Sequence, residues 1–282
     1  MPKPFRGSTA MRQRNAIASW AALTPRPDVI LFGDDEGTAE AARDLGVRHV
    51  PEIGRNEFGT PLVDDLFARA AREGTGRTLV YCNADIILLP DFPVAIERVA
   101  ASRSRFLVVG RRWNLDLARP LDFSALNWQV DLRGEVMKAG EQCNANFVDY
   151  FAFSRGLFDG MLSLPVGRPY YDNYLVWLAR SRGAGVVDAS AAVMAIHQNH
   201  DYSHHPQGSN GVFMGPEAKR SRALVGGWWH LYTIEDATHM VTADGGIRRL
   251  HRHPWLMAKR LWSHPLTIVQ LPWLALKRAF GS

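Results

Sequence analysis

Cysteine is nearly absent: Cys82 and Cys143 are the only two in 282 residues. Two lone thiols build no disulfide framework in a chain this long, which fits a reducing cytoplasm. Long apolar runs are missing as well, none reaching the roughly 18 residues that read as a spanning helix. The opening "MPKPFRGSTAMRQRNA" is basic and has no apolar core of the kind a secretory signal carries. There are no internal repeats. Acidic residues are the minority charge, 28 against 33 basic, for a formal net charge of +5. That mild excess favours partners carrying phosphate or an anionic surface, without choosing among a nucleotide, a nucleic acid and a bilayer.

What is present is ordinary globular sequence, 46% hydrophobic and 22% charged, which excludes disorder. The length suits one large domain, or one domain with an appendage. From residue 28, short apolar runs alternate with helical patterns. "DVILFGDDEG" predicts a strand over 29–32 ending in an acidic loop. "TAEAARDLG" predicts a helix with Thr38 as cap and Gly46 as stop. "VRHVPEI" reads as a short strand. "GTPLVDDLFARAAREG" predicts a helix capped by Thr60, with Pro61 at its first position and an apolar stripe of Leu62, Leu66 and Ala70. Further on, "DFPVAIERVAASR" reads as helix, "RFLVVGRRWN" and "FVDYFAFS" as strands, and "YYDNYLVWLARSRG" as a helix beginning near Asp172. Residues 116–146 read as connecting structure with some helix. "GVVDASAAVMAIHQNHDYSHH" reads as a strand running into a histidine-rich loop.

Strand and helix alternating in this way predict an α/β fold, a mixed, mostly parallel sheet flanked by helices. Ligands in such folds bind outside the carboxyl ends of the strands. Polar residues fall at those places: Asp34 and Asp35 after the first strand, Asn83 and Asp85 late in another, Arg111 and Arg112 after the next. Asn83 and Asp85 are the sharpest case. "RTLVYCNADIILLPDF" predicts a buried strand, apolar from Leu79 to Leu89 but for these two, which being two apart share a face. A carboxylate left unpaired in such a place is strongly destabilising, so Asp85 needs a partner.

In this order the segments resemble the nucleotide-sugar-dependent glycosyltransferases of the GT-A fold, family 2-like, over roughly residues 10–205. "GRNEFGTPLVDDLFARAAREGTGRTLVYCNADIIL" resembles that fold's Asn/Gly-containing loop, helix and metal-binding strand. "NAD" at 83–85 stands where such enzymes carry Asp-x-Asp, with Asn83 replacing the first aspartate. Asp172, opening "DNYLVWLA", resembles the acidic residue that faces the acceptor in inverting members, and "AIHQNH" resembles the position of a third metal ligand. GT-A domains begin with a strand that contacts the nucleobase. No apolar run precedes "MPKPFRG", so that strand is expected to be missing or to lie upstream of Met1.

The resemblance implies a nucleoside-diphosphate sugar donor, a glycan or lipid-linked acceptor, and Mn²⁺ or Mg²⁺ held by Asp85, since carboxylate oxygens suit hard cations. His197 is expected to join Asp85 on the cation, with His200 as the alternative; His204 and His205 read as solvated. Asn83 is expected at ribose or an outer-shell water, and Asn56, Asp34 and Asp35 on the donor. Arg111 and Arg112 are expected at the diphosphate or a charged acceptor, and Asp149 and Tyr150 on the acceptor side. Asp172 has two readings, a helix cap or the general base that deprotonates the acceptor. Residues 1–250 would form the catalytic domain. Residues 251–282, with Trp255, Trp262 and Trp273 among Lys259, Arg260, Lys277 and Arg278, read as a tail that either lies at the inner membrane face, contacting it through 254–280, or packs on the domain. The rivals are a nucleotidyltransferase, for which "KPFRG" is poor in glycine, and a nucleic-acid-binding protein, whose basic residues would gather on one surface.

Overall fold

The computed structural model describes residues 1–200, 211 and 213–251. His204, His205 and the tail from 252 lie outside the described residues. Residues 1–248 form one compact unit, and a second begins at Arg249. Among the described residues no helix is long and apolar enough to cross a membrane.

The fold is mixed α/β. The chain enters through helix α1 (Gly7–Ala21), then runs β1 (Ile30–Phe32), α2 (Thr38–Asp44), β2 (Arg48–Val50), α3 (Val63–Glu73), β3 (Thr78–Cys82), β4 (Ile86–Ile87) and α4 (Asp91–Ser102). It continues through β5 (Phe106–Val109), β6 (Arg112–Leu115), α5 (Trp128–Ala139), β7 (Glu141–Gln142), β8 (Tyr150–Ser154), α6 (Tyr171–Ser181), β9 (Gly185–Asp188) and β10 (Ala195–Gln198). Helix α7 (Pro216–Leu224) and strands β11 (His239–Val241) and β12 (Ile247–Arg249) follow. The largest sheet has the order β12-β11-β9-β5-β8-β3, a second has β4-β10-β6-β7, and β1-β2 form a parallel pair. Parallel pairings (β5 with β9, β9 with β11, β6 with β10) mix with antiparallel ones around β8.

The core explains the order. Ile86, Leu88, Phe92, Ile96, Val99, Phe106, Val108, Tyr150 and Val187 pack α4 onto the large sheet, and Ile87, Leu89, Leu115, Leu132, Val136 and Ile196 pack α5 onto the second. Ile86 and Ile87 thus face different cores, as neighbours in a strand must.

Four expectations are corrected. The long strand expected through 79–89 is two strands in different sheets, joined by a turn at 83–85 in which Ile86 N donates to Asn83 O at 3.1 Å. "RFLVVGRRWN" likewise divides into β5 and β6 at Gly110, where a Cβ would meet the Tyr150 hydroxyl at 2.0 Å. Thr60 does not cap α3: Leu62 does, because Pro61 O and Leu62 N are already bonded to Val166 N and Gly54 O. The α2 cap is Gly37, at φ 80°, rather than Thr38.

Candidate metal centre and its surroundings

The break at 83–85 places Asp85 at the mouth of two sheets. Strand β10 lies between β4 and β6, so His197 pairs with Ile86 on one side and Asn114 on the other, one residue from Asp85. His200 follows β10 and brings its Nε2 to 3.0 Å from Asp85 Oδ2, while His197 Nε2 lies at 3.8 Å from the same oxygen. One ligand atom from each of the three lies within 4.8 Å of the others. Helix α1 fastens this corner from behind. Trp20 Nε1 donates to Ile86 O at 2.8 Å, Ser19 Oγ accepts from Leu88 N, and Gln198 Nε2 donates to Arg12 O and Asp85 O.

Protonation states suit a cation. Burial favours the neutral form of Asp85, but the His200 hydrogen bond and the His197, His200 and Lys3 charges outweigh it and hold the carboxyl at about 2. Burial draws His197 down to about 4 against the pull of Asp85, so its imidazole is neutral at pH 7 and its lone pair is available. Two buried atoms of the trio, Asp85 Oδ1 and His197 Nδ1, have no hydrogen-bond partner among the described residues. Buried polar atoms are otherwise paired almost everywhere in proteins. Ligands about 2.0–2.2 Å from a shared ion stand about 3–4.4 Å apart, the range in which the two distances from Asp85 Oδ2, 3.0 and 3.8 Å, fall. The residues fit a divalent cation.

Beside the trio is a second network. Asp149, 8% exposed, receives Arg112 Nη1 at 2.8 Å on one oxygen and Asn83 Nδ2 at 2.6 Å on the other. Burial raises its pKa, Arg112 restrains it, and Asp85 pushes it up again. Asn83 Oδ1 accepts from Tyr81 Oη at 3.0 Å and from Tyr171 Oη at 3.5 Å. Tyr171 opens α6, and burial raises the pKa of the next residue, Asp172, to about 7, with backbone hydrogen bonds opposing and the Asp149 charge adding to the rise.

Asp85, His197 and His200 are therefore brought together, with Asn83, Asp149 and Arg112 joined beside them, while Asp172 is tied to this group only through the charge of Asp149. The other expected site residues are not. Tyr150 is fully buried in the core against Phe92, on the opposite face of its strand from Asp149. Asn56 Oδ1 accepts from Phe58 N and Thr60 N and its Nδ2 donates to Glu217 at 2.8 Å, so its polar atoms shape a loop. Asp34 and Asp35 both pair with Arg55 Nη2, at 2.8 and 3.1 Å. Arg111 bonds Ser190 Oγ through its backbone N–H. The Arg112 guanidinium is already engaged within the protein, by Asp149, Asn114 and the Phe147 ring at 5.2 Å.

Sequence reasoning passed over Lys3. Burial lowers its pKa, Asp85 raises it, and Arg12 and Arg168 lower it, and its charge in turn helps to lower the Asp85 pKa, so one further cationic side chain stands near the trio. The one available signal was the basic opening "MPKPFRG".

Fold and site define a mixed α/β protein with a carboxylate–imidazole cluster fit for a divalent cation. No protein-family profile matches the chain, and no curated protein matches it. Solved structures of glucosyl-3-phosphoglycerate synthase from Mycobacterium tuberculosis do. One is 15% identical, with 76% of each chain covered and a TM-score of 0.42. The complex with Mg²⁺ and uridine diphosphate is 17% identical, covers 76% of this chain and 74% of that one, and has a TM-score of 0.44. The complex with Mn²⁺, UDP-glucose and phosphoglyceric acid is 15% identical, with 67% and 69% covered and a TM-score of 0.38.

Proposed function

We propose that the chain is a glycosyltransferase that moves a sugar from a nucleoside-diphosphate donor to an acceptor hydroxyl. Asp85, His197 and His200 hold Mn²⁺ or Mg²⁺, with the carboxylate as the hard oxygen ligand. The observation that carries the reading is this trio, with two unpartnered buried atoms, at the strand ends where α/β folds bind ligands. When bound, such a cation offsets charge on a departing diphosphate. Lys3 supplies further positive charge near Asp85. Asp149 orients Asn83 and Arg112 beside the donor. In an inverting reaction Asp172, poised at about 7, takes the proton of the attacking acceptor hydroxyl.

A second reading comes from the ligand set. Two histidines and one aspartate also suit Zn²⁺ or Fe²⁺ in a site that uses no nucleotide. A thermal-shift screen of UDP-, GDP-, dTDP- and CMP-sugars with Mn²⁺, Mg²⁺ and Zn²⁺ separates the two. A ligand at 100 times its Kd stabilises the folded chain by about 2.7 kcal/mol. The glycosyltransferase reading predicts a sugar nucleotide whose shift requires Mn²⁺ or Mg²⁺. A shift with Zn²⁺ alone, indifferent to every sugar nucleotide, would replace it.

A further inference from the structure

Helix α5 is apolar on two faces. Leu132 and Val136 turn inward and close the core of the second sheet. On the other side Val130 and Met137, seven residues apart, are 69% and 66% exposed, and Leu126, just ahead of the helix, is 98% exposed. Apolar side chains scattered over a surface need no explanation. Three along one short segment, all left largely uncovered, form a patch of the kind that marks an interaction site. Between Val130 and Met137 lies Gly134, where an added Cβ would meet nothing within 4 Å. A glycine in mid-helix weakens the helix, and no contact inside the chain requires this one. It leaves a shallow saddle in the middle of the face, where a second backbone can come close.

The charges on α5 say which partner fits. Arg133 pairs with Asp91, and Glu135 with Arg119. Asp131 and Lys138 have no ion-pair partner among the described residues. They stand about 10 Å apart along the axis, too far to pair with each other. Seen from outside, Asp131 and Lys138 form one row and Val130 and Met137 another, about 50° to either side of Gly134. A two-fold axis across the helix at Gly134 reverses the second copy and keeps each row on its own side. Val130 then lies over the partner's Met137 and Asp131 over the partner's Lys138, each contact occurring twice. A parallel copy would exchange the rows and set charges against apolar side chains. An anionic lipid surface fits less well, because Asp131 borders the patch.

We propose that this face of α5 is a homodimer interface, in which two copies of the helix pack antiparallel and cross at Gly134. The interface is independent of the glycosyltransferase reading. Its helix has 12 residues and is about 18 Å long, while a standard interface takes roughly 800 Å² from each partner. The expected association is therefore weak, with a Kd in the micromolar range, and the charged row serves to fix register and direction.

The test is sedimentation velocity of the full chain over about 1–200 µM, the range in which a micromolar Kd is read. The proteins are the wild type, Asp131→Lys, Lys138→Asp and Gly134→Gln, all altered at exposed positions and each checked for wild-type circular dichroism. The wild type should dimerise as its concentration rises, and each variant should associate at least tenfold more weakly. An equal mixture of Asp131→Lys with Lys138→Asp should regain wild-type association, because one carries only bases in the charged row and the other only acids. A wild type monomeric throughout, variants that associate as well as it does, or a mixture no better than its components overturns the interface. A monomeric wild type that pellets with phosphatidylcholine–phosphatidylglycerol vesicles, and does so less in Val130→Ser/Met137→Ser, also overturns it and gives the face to a bilayer.

Discussion

Replacing Arg112 by methionine keeps the apolar stem that packs near Phe147 and removes the guanidinium. Asp149 then keeps Asn83 but loses its cation. Breaking a buried pair from one side costs about 3–5 kcal/mol, because a charge is left without compensation. The two side chains retain 15% and 11% of their exposure, so water relieves part of this and the low end, about 3 kcal/mol, applies. At about 2–4 °C per kcal/mol for a chain of this size, the Tm falls roughly 6–12 °C. The deficit depends on pH with a definite sign. Burial already raises the Asp149 pKa, and losing Arg112 raises it further. A carboxyl whose folded pKa is raised favours folding at low pH and loses that contribution as pH climbs through the folded pKa. The Arg112→Met deficit is therefore larger at pH 8 than at pH 5. Urea and thermal unfolding followed by circular dichroism measure it. The double variant Arg112→Met/Asp149→Asn removes both charges, keeps an acceptor for Asn83 and should recover more than half of the loss. A single-variant loss below about 1 kcal/mol, the ceiling for an exposed pair, or a double variant less stable than the single, would refute the reasoning.

Asp172→Asn should leave the Mn²⁺-dependent sugar-nucleotide shift intact and reduce turnover at least ~100-fold. In the wild type kcat should fall as pH drops through about 7, where the base takes up its proton; a flat profile removes Asp172 as base. Asn56→Ala removes the side-chain acceptor of two backbone N–H groups and the Glu217 bond, an expected loss of about 1–3 kcal/mol readable by urea titration. Gly110→Ala drives a methyl into the Tyr150 hydroxyl, costing about 1–3 kcal/mol, and adding Tyr150→Phe should return part of it in the same assay.

Much of the fold was legible because it follows local pattern. The alternation from residue 28 yields β1, α2, β2, α4 and α6 close to their observed bounds. Helix α1 was not legible. Its buried face carries Gln13, Asn15 and Ser19 beside Ala16 and Ile17, so the apolar period is masked. Those polar groups are satisfied from far along the chain: Asn15 bonds Gln198, Arg119 O and Leu121 N. No local window contains such partners. The break after Cys82 was hidden for a related reason. Ile86 and Ile87 are equally buried, each in its own core, so the apolar run is continuous although the strand is not.

The site was half legible. Asp85 and both histidines could be chosen by residue type, and the structure joins all three where sequence offered His200 only as an alternative to His197. Asn83 was readable as a departure from an acidic pair, but its role was not. Asp149 immediately precedes β8, whose neighbour β3 ends at Cys82, and Asn83 N extends that ladder to Asp149 O at 2.9 Å. A second carboxylate beside Asp85 thus comes from 64 residues downstream. Tyr150 was misread because strand position alone does not say which of two adjacent side chains faces inward.

The central claim is that Asp85, His197 and His200 hold a divalent cation on which donor binding depends. Its most direct test is the Mn²⁺-dependent thermal shift given by the best sugar nucleotide, measured in the wild type and in Asp85→Ala. The account predicts a wild-type shift of roughly 5–10 °C at 100 times Kd and none in Asp85→Ala. An Asp85→Ala protein that keeps the full Mn²⁺-dependent shift would contradict it.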